Sequence, residues 1–270
     1  MKRYNKVASS FLFSICFIPL FSLIQSCSSS EELTNPTKLI VTLVDSPADY
    51  EALNVDIKEI SLKTSGSSEN QGWITLDGFE PDVYNILEYT GGRELSLADM
   101  TFPPGKISQL KLMLGPKNTL IIQNYTSSLL APASAADGLI MNVDINVNQG
   151  ETHYLKLDFD ASRSVVGLGN TGQLILKPVL RLFSETDTGS LTGKVLPDNA
   201  SVLINIIANN KIIASSYATE NVSTFLIPGI NEGTYRVSME ISDNDKQKFF
   251  DNIVIANGKV TNMGTITLDN

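Results

Sequence analysis

Thiols and imidazoles are scarce in this sequence. Its 270 residues contain two cysteines, Cys16 and Cys27, and one histidine, His153. Beyond Cys27 the chain therefore has no sulfur nucleophile, which excludes disulfides, thiolate metal sites and cysteine catalysis from nearly all of it. A single histidine likewise excludes His-pair mechanisms and the usual His-rich zinc sites. Basic runs are missing too: 20 Lys and Arg stand against 29 Asp and Glu, a formal net charge of −9. Nucleic-acid affinity rests on Lys and Arg neutralising phosphates, so this balance argues against such a partner. No apolar stretch reaches the roughly 20 residues that a membrane-spanning helix needs.

What stands at the N-terminus is more specific. Met1-Lys2-Arg3-Tyr4-Asn5-Lys6 is basic and free of acids, and residues 11–24 follow as a short apolar stretch broken by Ser14, Pro19 and Ser22. A basic flank before a short apolar segment is the layout of a secretory signal. The alternative is an uncleaved anchor. Ile24-Gln25-Ser26-Cys27 resembles a lipobox, where lipoprotein signal peptidase cuts once diacylglycerol is attached to the cysteine. Ser26 suits a tight cleavage pocket; Gln25 departs from the Ala, Ser or Thr of the narrowest pattern. The resemblance implies a lipoprotein signal peptide over 1–26, lipid on Cys27 and a flexible tether over 27–36. Ser28-Ser29-Ser30-Glu31-Glu32 is too polar to fold alone. Ser28 is not the Asp that often holds lipoproteins at the inner membrane, and the Ser/Glu run resembles surface-export signals of some diderm bacteria. The expected location is thus the outer membrane of a diderm bacterium, on its periplasmic side or at the cell surface. Two acyl chains, at about 0.8 kcal/mol per buried methylene, give stable attachment. Cleavage would also remove Lys2, Arg3 and Lys6, so that 17 basic residues face 29 acidic ones and the net charge becomes −12.

Strand signals dominate from Lys38 onward. Lys38–Asp45 is apolar and β-branched, and Leu53–Lys63 alternates through Leu53, Val55 and Ile57, then slips to Ile60 and Leu62. The alternation predicts a half-buried strand and the slip a bulge or twist. Further strands are predicted over Trp73–Leu76, Val83–Leu87, Lys106–Leu114, Thr119–Gln123, Leu139–Val147, Thr152–Phe159 and Leu174–Phe183, separated by Gly-, Pro- and Asn-rich turns. No long helical period stands out. Around Ser184–Gly189 the chain turns small and polar, which marks a boundary. Beyond it strands are predicted over Ser190–Val195, Ser201–Ala208, Lys211–Tyr217, Ser223–Ile227, Thr234–Ile241, Lys248–Ile255 and Met263–Leu268. Asn209-Asn210 lies where a hairpin turn needs left-handed backbone angles. The expected fold is all-β: two antiparallel β-sandwiches in tandem, over 37–184 and 189–270.

Ordered motifs in the first segment carry a family resemblance. They are Val44-Asp45-Ser46-Pro47-Ala48-Asp49-Tyr50 with Asn54-Val55, Trp73-Ile74-Thr75-Leu76, Tyr84-Asn85-Ile86-Leu87 and Pro104-Gly105-Lys106-Ile107. They continue in Leu157-Asp158-Phe159-Asp160-Ala161-Ser162-Arg163-Ser164-Val165 and Leu176-Lys177-Pro178-Val179-Leu180-Arg181. Together they resemble the bacterial lipoprotein family known as domain of unknown function 4382; the Ala- and Ser-rich stretch between Thr126 and Leu139 departs from its pattern. That resemblance implies a β-sandwich and brings no activity. The second segment resembles carboxypeptidase regulatory-like domains, which have a transthyretin-like sandwich. The residues that carry this are Gly189–Val195, Ile227-Pro228-Gly229-Ile230, Gly233-Thr234-Tyr235-Arg236-Val237, Ile253–Val260 and Gly264–Leu268. Such domains usually serve as non-catalytic modules on secreted and outer-membrane proteins.

Among acidic residues, Asp45, Asp49, Asp158 and Asp160 stand out. Asp158 and Asp160 alternate on one strand and point to one side, a spacing that could offer oxygens to calcium. The competing reading makes Asp45, before Ser46-Pro47, and Asp160, before Ala161-Ser162, turn or cap residues that bond the backbone. A paired-carboxylate hydrolase is weaker, since any two acids of an acidic protein can be so paired. His153 has no serine nucleophile motif beside it and reads as a rim residue. Trp73, Tyr84, Tyr89, Tyr125 and Tyr154 read as core or as a sugar-stacking face. Gly91-Gly92 and Gly167–Gly172 lack the strand–turn–helix setting of a phosphate loop and read as turns. The sequence therefore predicts a lipid-anchored, non-catalytic envelope protein without a cofactor, acting as a binding or structural module with an envelope protein or a polysaccharide as partner. A glycan-binding lipoprotein of a nutrient-uptake system is the alternative, and a carboxylate-only hydrolase ranks third.

Overall fold

The computed structural model describes residues 36–66, 72–90, 92–169, 172–198, 201–218, 223–241 and 247–268. The signal segment, Cys27 and nearly all of the tether lie outside the described residues. Residues 35–270 form one compact unit.

The first half contains β1 (Lys38–Val44), β2 (Ala52–Thr64), β3 (Trp73–Thr75), β4 (Asp82–Asn85), β5 (Leu95–Thr101), β6 (Gly105–Leu114), β7 (Asn118–Ile122) and β8 (Tyr125–Leu129). A short helix α1 (Ser134–Asp137) precedes β9 (Leu139–Val147) and β10 (Thr152–Phe159), and α2 (Ala161–Ser164) leads into β11 (Val165–Gly167), β12 (Leu174–Leu176) and β13 (Leu180–Ser184). One sheet has the order β13-β10-β1-β5; a larger one runs β8-β7-β2-β6-β9, with β3 and β4 also on β2. Period-two burial brings Leu39, Val41, Leu43, Leu155, Leu157 and Phe159 of the first sheet against Val55, Ile57, Ile60, Leu62, Leu110 and Leu112 of the second in one core. The slip read in β2 is a register shift against β6 between Ile57 and Glu59. It moves the inward set from odd to even positions, as an extra residue in one strand must.

The second half contains β14 (Gly189–Leu196), β15 (Val202–Ala208), β16 (Lys211–Ala218), β17 (Thr224–Ile230), β18 (Gly233–Ile241), β19 (Gln247–Ile255) and β20 (Val260–Thr267). Sheets β17-β14-β20 and β16-β15-β18-β19 enclose a separate core of Leu191, Ile204, Ile206, Ile227, Val237, Met239 and their neighbours. Asn209 and Asn210 close the β15–β16 hairpin at φ 50° and 60°, the left-handed values that hairpin requires. The chain thus forms two all-β domains in tandem. Each also carries a parallel strand pair, β1 with β10 and β14 with β20.

Several elements differ from the sequence reading. The stretch 174–183 is two strands, because Pro178 brings no N–H to a ladder. Ile86–Tyr89 turns into a short 3-10 helix instead of prolonging β4. β5, β8 and β11 had no prediction. β8 is exposed along Tyr125–Ser128, so no alternation announces it. It forms through its hairpin with β7, whose turn residues Gln123 and Asn124 take φ 48° and 64°.

Candidate functional site

The acidic motifs of the first domain meet at one place. β1 and β10 run parallel with Val44 opposite Asp158, so Asp45, the next residue, lies beside the end of β10. The antiparallel partner of Asp158 is Arg181 on β13. Leu155, Leu157 and Phe159 point into the core, which places Asp158 on the outer face of its sheet. Even so, it is 1% exposed.

Arg181 explains how that charge is held. Its Nε and Nη2 donate to Asp158 Oδ2 at 2.9 and 2.5 Å, while Nη1 donates to the carbonyls of Pro228 and Gly229 at 3.1 and 3.2 Å. One guanidinium therefore neutralises an acid of the first domain and binds the β17 backbone of the second. Arg163 repeats the device. Its Nε donates to Asp160 Oδ2 at 2.8 Å and its Nη1 to the carbonyl of Ile212, in β16, at 3.1 Å. Asp160 also caps α2, accepting from the Arg163 N–H at 3.1 Å. Ser164 ties the two motif segments together, donating to the Asp160 carbonyl at 2.6 Å and accepting from the Val179 N–H at 2.9 Å.

Two further contacts complete this joint. The Tyr217 N–H of β16 donates to the Pro47 carbonyl at 3.1 Å. Gly229, at φ +70°, lies over Phe183; a Cβ there would come within 2.3 Å of the ring. The connection between β13 and β14 is short, and Thr188 Oγ1 donates across it to the Ser184 carbonyl at 2.7 Å. Beside the joint a cleft of about 330 Å³ opens between the domains, walled by Met141, Leu182, Ile213 and Tyr235, with Asn142 and Asn231 at its polar positions.

Asp45 has the least provision. Its Oδ1 accepts the Ala161 N–H at 3.1 Å, but its Oδ2 is buried without a partner, as is Asp158 Oδ1. Burial first, and then the charge of Asp158, push the Asp45 carboxyl well above the usual carboxylate range. Burial also raises Asp158, against the pull of Arg181.

The other candidates do not join this cluster. Asp49 is exposed. His153 Nε2 accepts the Asn148 N–H at 2.8 Å in the turn before β10. The aromatic residues are divided between surfaces. Trp73 stacks under Lys63 and Lys111, Tyr84 packs near Phe79 and Tyr89 lies against the core. Tyr125 and Tyr154, 80% and 52% exposed, stand on different sheets. Among the described residues no group of three or more His, Cys, Asp or Glu side chains could hold a metal ion. The residues that sequence reasoning missed are Arg163 and Arg181. The one local signal is an arginine inside the apolar run Leu180–Phe183, which calls for an acid partner without saying which.

The family model described as Domain of unknown function (DUF4382) matches residues 36–178, just over half of the chain. The chain belongs to this family. The DUF4382 match takes in Asp45, Asp158, Asp160 and Arg163 and ends before Arg181 and the second domain. No curated protein matches the chain. Among solved structures, the Bacillus anthracis TIE protein is 15% identical over 85% of this chain and 33% of its own, with a TM-score of 0.22. A fimbrial protein from Bacteroides ovatus is 10% identical over 87% and 50%, at 0.21. A mutant major pilin from Streptococcus pyogenes is 10% identical over 87% and 100%, at 0.18. The chain spans about a third of the first protein and half of the second. Likeness at such scores carries no argument about the fold or function of this DUF4382 protein.

Proposed function

We propose that this DUF4382 protein is a lipid-anchored, non-catalytic module of the bacterial cell envelope, with residues 37–184 and a carboxypeptidase regulatory-like domain over 189–270 presented as one stiff body. The observation that carries this reading is the joint. The acids most suited to chemistry, Asp158 and Asp160, are neutralised by Arg181 and Arg163, and the same guanidinium groups bind backbone carbonyls of the second domain. Such groups fix geometry; they do not turn over substrate. A flexible Ser/Glu tether and lipid on Cys27 would hold the body at the outer membrane, where it contacts an envelope protein.

Cys27→Ala tests the anchor. The variant should leave the membrane fraction and lose incorporation of labelled fatty acid; incorporation retained in the variant overturns the lipobox assignment. Pull-down of purified protein by insoluble polysaccharides tests the partner class. No retention supports a protein partner, and retention that a competing soluble glycan reverses favours the nutrient-uptake alternative.

A further inference from the structure

Three carboxyls and two guanidinium groups share the joint. If all were ionised, Asp45, Asp158 and Asp160 would leave one negative charge over after Arg163 and Arg181. The hydrogen bonds show where it falls. Asp160 Oδ1 accepts the Ser162 hydroxyl and the Arg163 N–H, and its Oδ2 accepts Arg163 Nε. Asp158 Oδ2 takes both donors from Arg181, and Asp45 Oδ1 takes the Ala161 N–H. Two buried oxygens of this cluster remain without a partner, Asp45 Oδ2 and Asp158 Oδ1, in residues 8% and 1% exposed. An unpaired buried carboxylate is costly, and a group so placed neutralises by taking up a proton. One proton cancels the excess charge and turns one of the two oxygens into a donor.

We propose that Asp45 holds a proton in the folded protein, with Asp158 as its acceptor, and that ionising Asp45 loosens the joint between the two domains. The charged groups that act on it are Asp158 on β10 and Asp160 at α2. Each of these is bound by a guanidinium, Arg181 on β13 and Arg163 at α2; Tyr50, on the following loop, faces Asp160. From β16 and β17 the joint receives backbone groups: the carbonyls of Ile212, Pro228 and Gly229 and the Tyr217 N–H. The mechanical link is short. Asp45 and Pro47 belong to one loop, and Pro47 accepts the Tyr217 N–H across the joint. Once ionised, Asp45 repels Asp158 and draws water, which displaces this loop and opens that hydrogen bond. The sign follows from linkage. The native state holds the proton more tightly than the unfolded chain, so stability declines as pH rises from the ordinary carboxylate range through the folded value.

Two readouts on the full-length chain test this. Infrared spectroscopy should show the C=O band of a protonated carboxyl near pH 7, absent from Asp45→Asn. Hydrogen exchange, corrected for the intrinsic effect of pH, should show the Tyr217 amide losing about tenfold or more of its protection toward alkaline pH in the wild type. Asp45→Asn should hold that protection, because its amide donates as the neutral acid does. No carboxyl band at neutral pH overturns the proposal, and so does a band with Tyr217 protection unchanged after it has titrated away. If Asp45→Asn does not fold, the wild-type band and its loss in step with Tyr217 exchange decide the matter.

Discussion

The two domains bury polarity of different kinds. The first encloses Asp45, Asp56, Lys63, Asp158 and Asp160. Among its described residues the second encloses Asn205, Ser215, Ser216 and Ser238 and no charged side chain. There Ser215 donates to Asn205 Oδ1 at 2.9 Å, and the Asn205 amide reaches Ser238 Oγ at 3.4 Å. Neutral groups need only hydrogen bonds, whereas buried charges need an opposite charge or a proton. Asp56 and Lys63 are held inside the first domain, Asp56 beside Lys58 and Lys63 over Trp73. Asp158 and Asp160, in contrast, are paired by the arginines that bind the second domain, so pH and charge removal act on the joint through these acids. The second domain's own core should be indifferent to both.

Removing Arg181 breaks the comparison most severely. Arg181→Ala strands Asp158 and takes the donor from the Pro228 and Gly229 carbonyls. Losing one partner of a buried ion pair costs about 3–5 kcal/mol. Denaturant titration should show that loss near neutral pH and a smaller one in acid, where Asp158 accepts a proton; a defect independent of pH contradicts the assigned pairing. Replacing both partners, with Asp158→Leu and Arg181→Met, should recover much of the stability, since matched apolar pairs of similar volume are often neutral. Next in size is Gly229→Ala. Its methyl group would lie 2.3 Å from the Phe183 ring, at a backbone angle of +70° that L residues rarely adopt. Overpacking of this sort costs about 1–3 kcal/mol. Phe183→Leu in the same chain should relieve part of it, and strict additivity of the two changes would show that the contact does not form.

How far the sequence discloses this arrangement depends on the range of the signal. Short apolar runs bounded by turn residues located the seven strands described in the second domain. Alternation located the bulge in β2, because a pleat with one buried face writes its period directly into the residues. Asn209-Asn210 fixed a hairpin through local backbone chemistry. β8 escaped, since its pairing with β7 is set by a turn and its side chains face water. The joint escaped for another reason. Asp158 and Arg181 are opposite one another only once β10 pairs with β13, and the carbonyls of Pro228 and Gly229 carry no side-chain signature at all. Asp160 could be read as a cap from Ala161-Ser162 after it; that its second oxygen holds Arg163 at the domain boundary could not.

Asn205→Ala addresses the other half of the comparison. It removes the acceptor of Ser215 and should cost about 1–2 kcal/mol, the usual loss for a buried neutral hydrogen bond. Thermal melts between about pH 5 and pH 9 should show the same decrement throughout, because the described partners of Asn205, Ser215 and Ser238, do not titrate. A decrement that grows toward either end would mean that charge does reach this core. Lys156→Ala is smaller again. Lys156 pairs with Glu94 and Glu185 on the same outer face as Asp158, but Glu185 is exposed and the set lies open to salt. The change should cost under about 1 kcal/mol and less at high ionic strength.

The smallest expected effect separates guanidinium from metal as the partner of the acid pair. A calcium ion bound to Asp158 and Asp160 at a hundred times its Kd would add about 2.7 kcal/mol to stability. At about 2–4 °C per kcal/mol for a chain of this size, chelation would then lower Tm by several degrees. Asp158 Oδ2 and Asp160 Oδ2 already accept Arg181 and Arg163. An incoming divalent cation would have to displace those guanidinium groups, and with them the hydrogen bonds to the second domain. Melting in excess chelator and in excess calcium should therefore superimpose within about 1 °C. A chelator-induced fall of several degrees would reassign the acid pair to calcium, and the joint would then be metal-dependent.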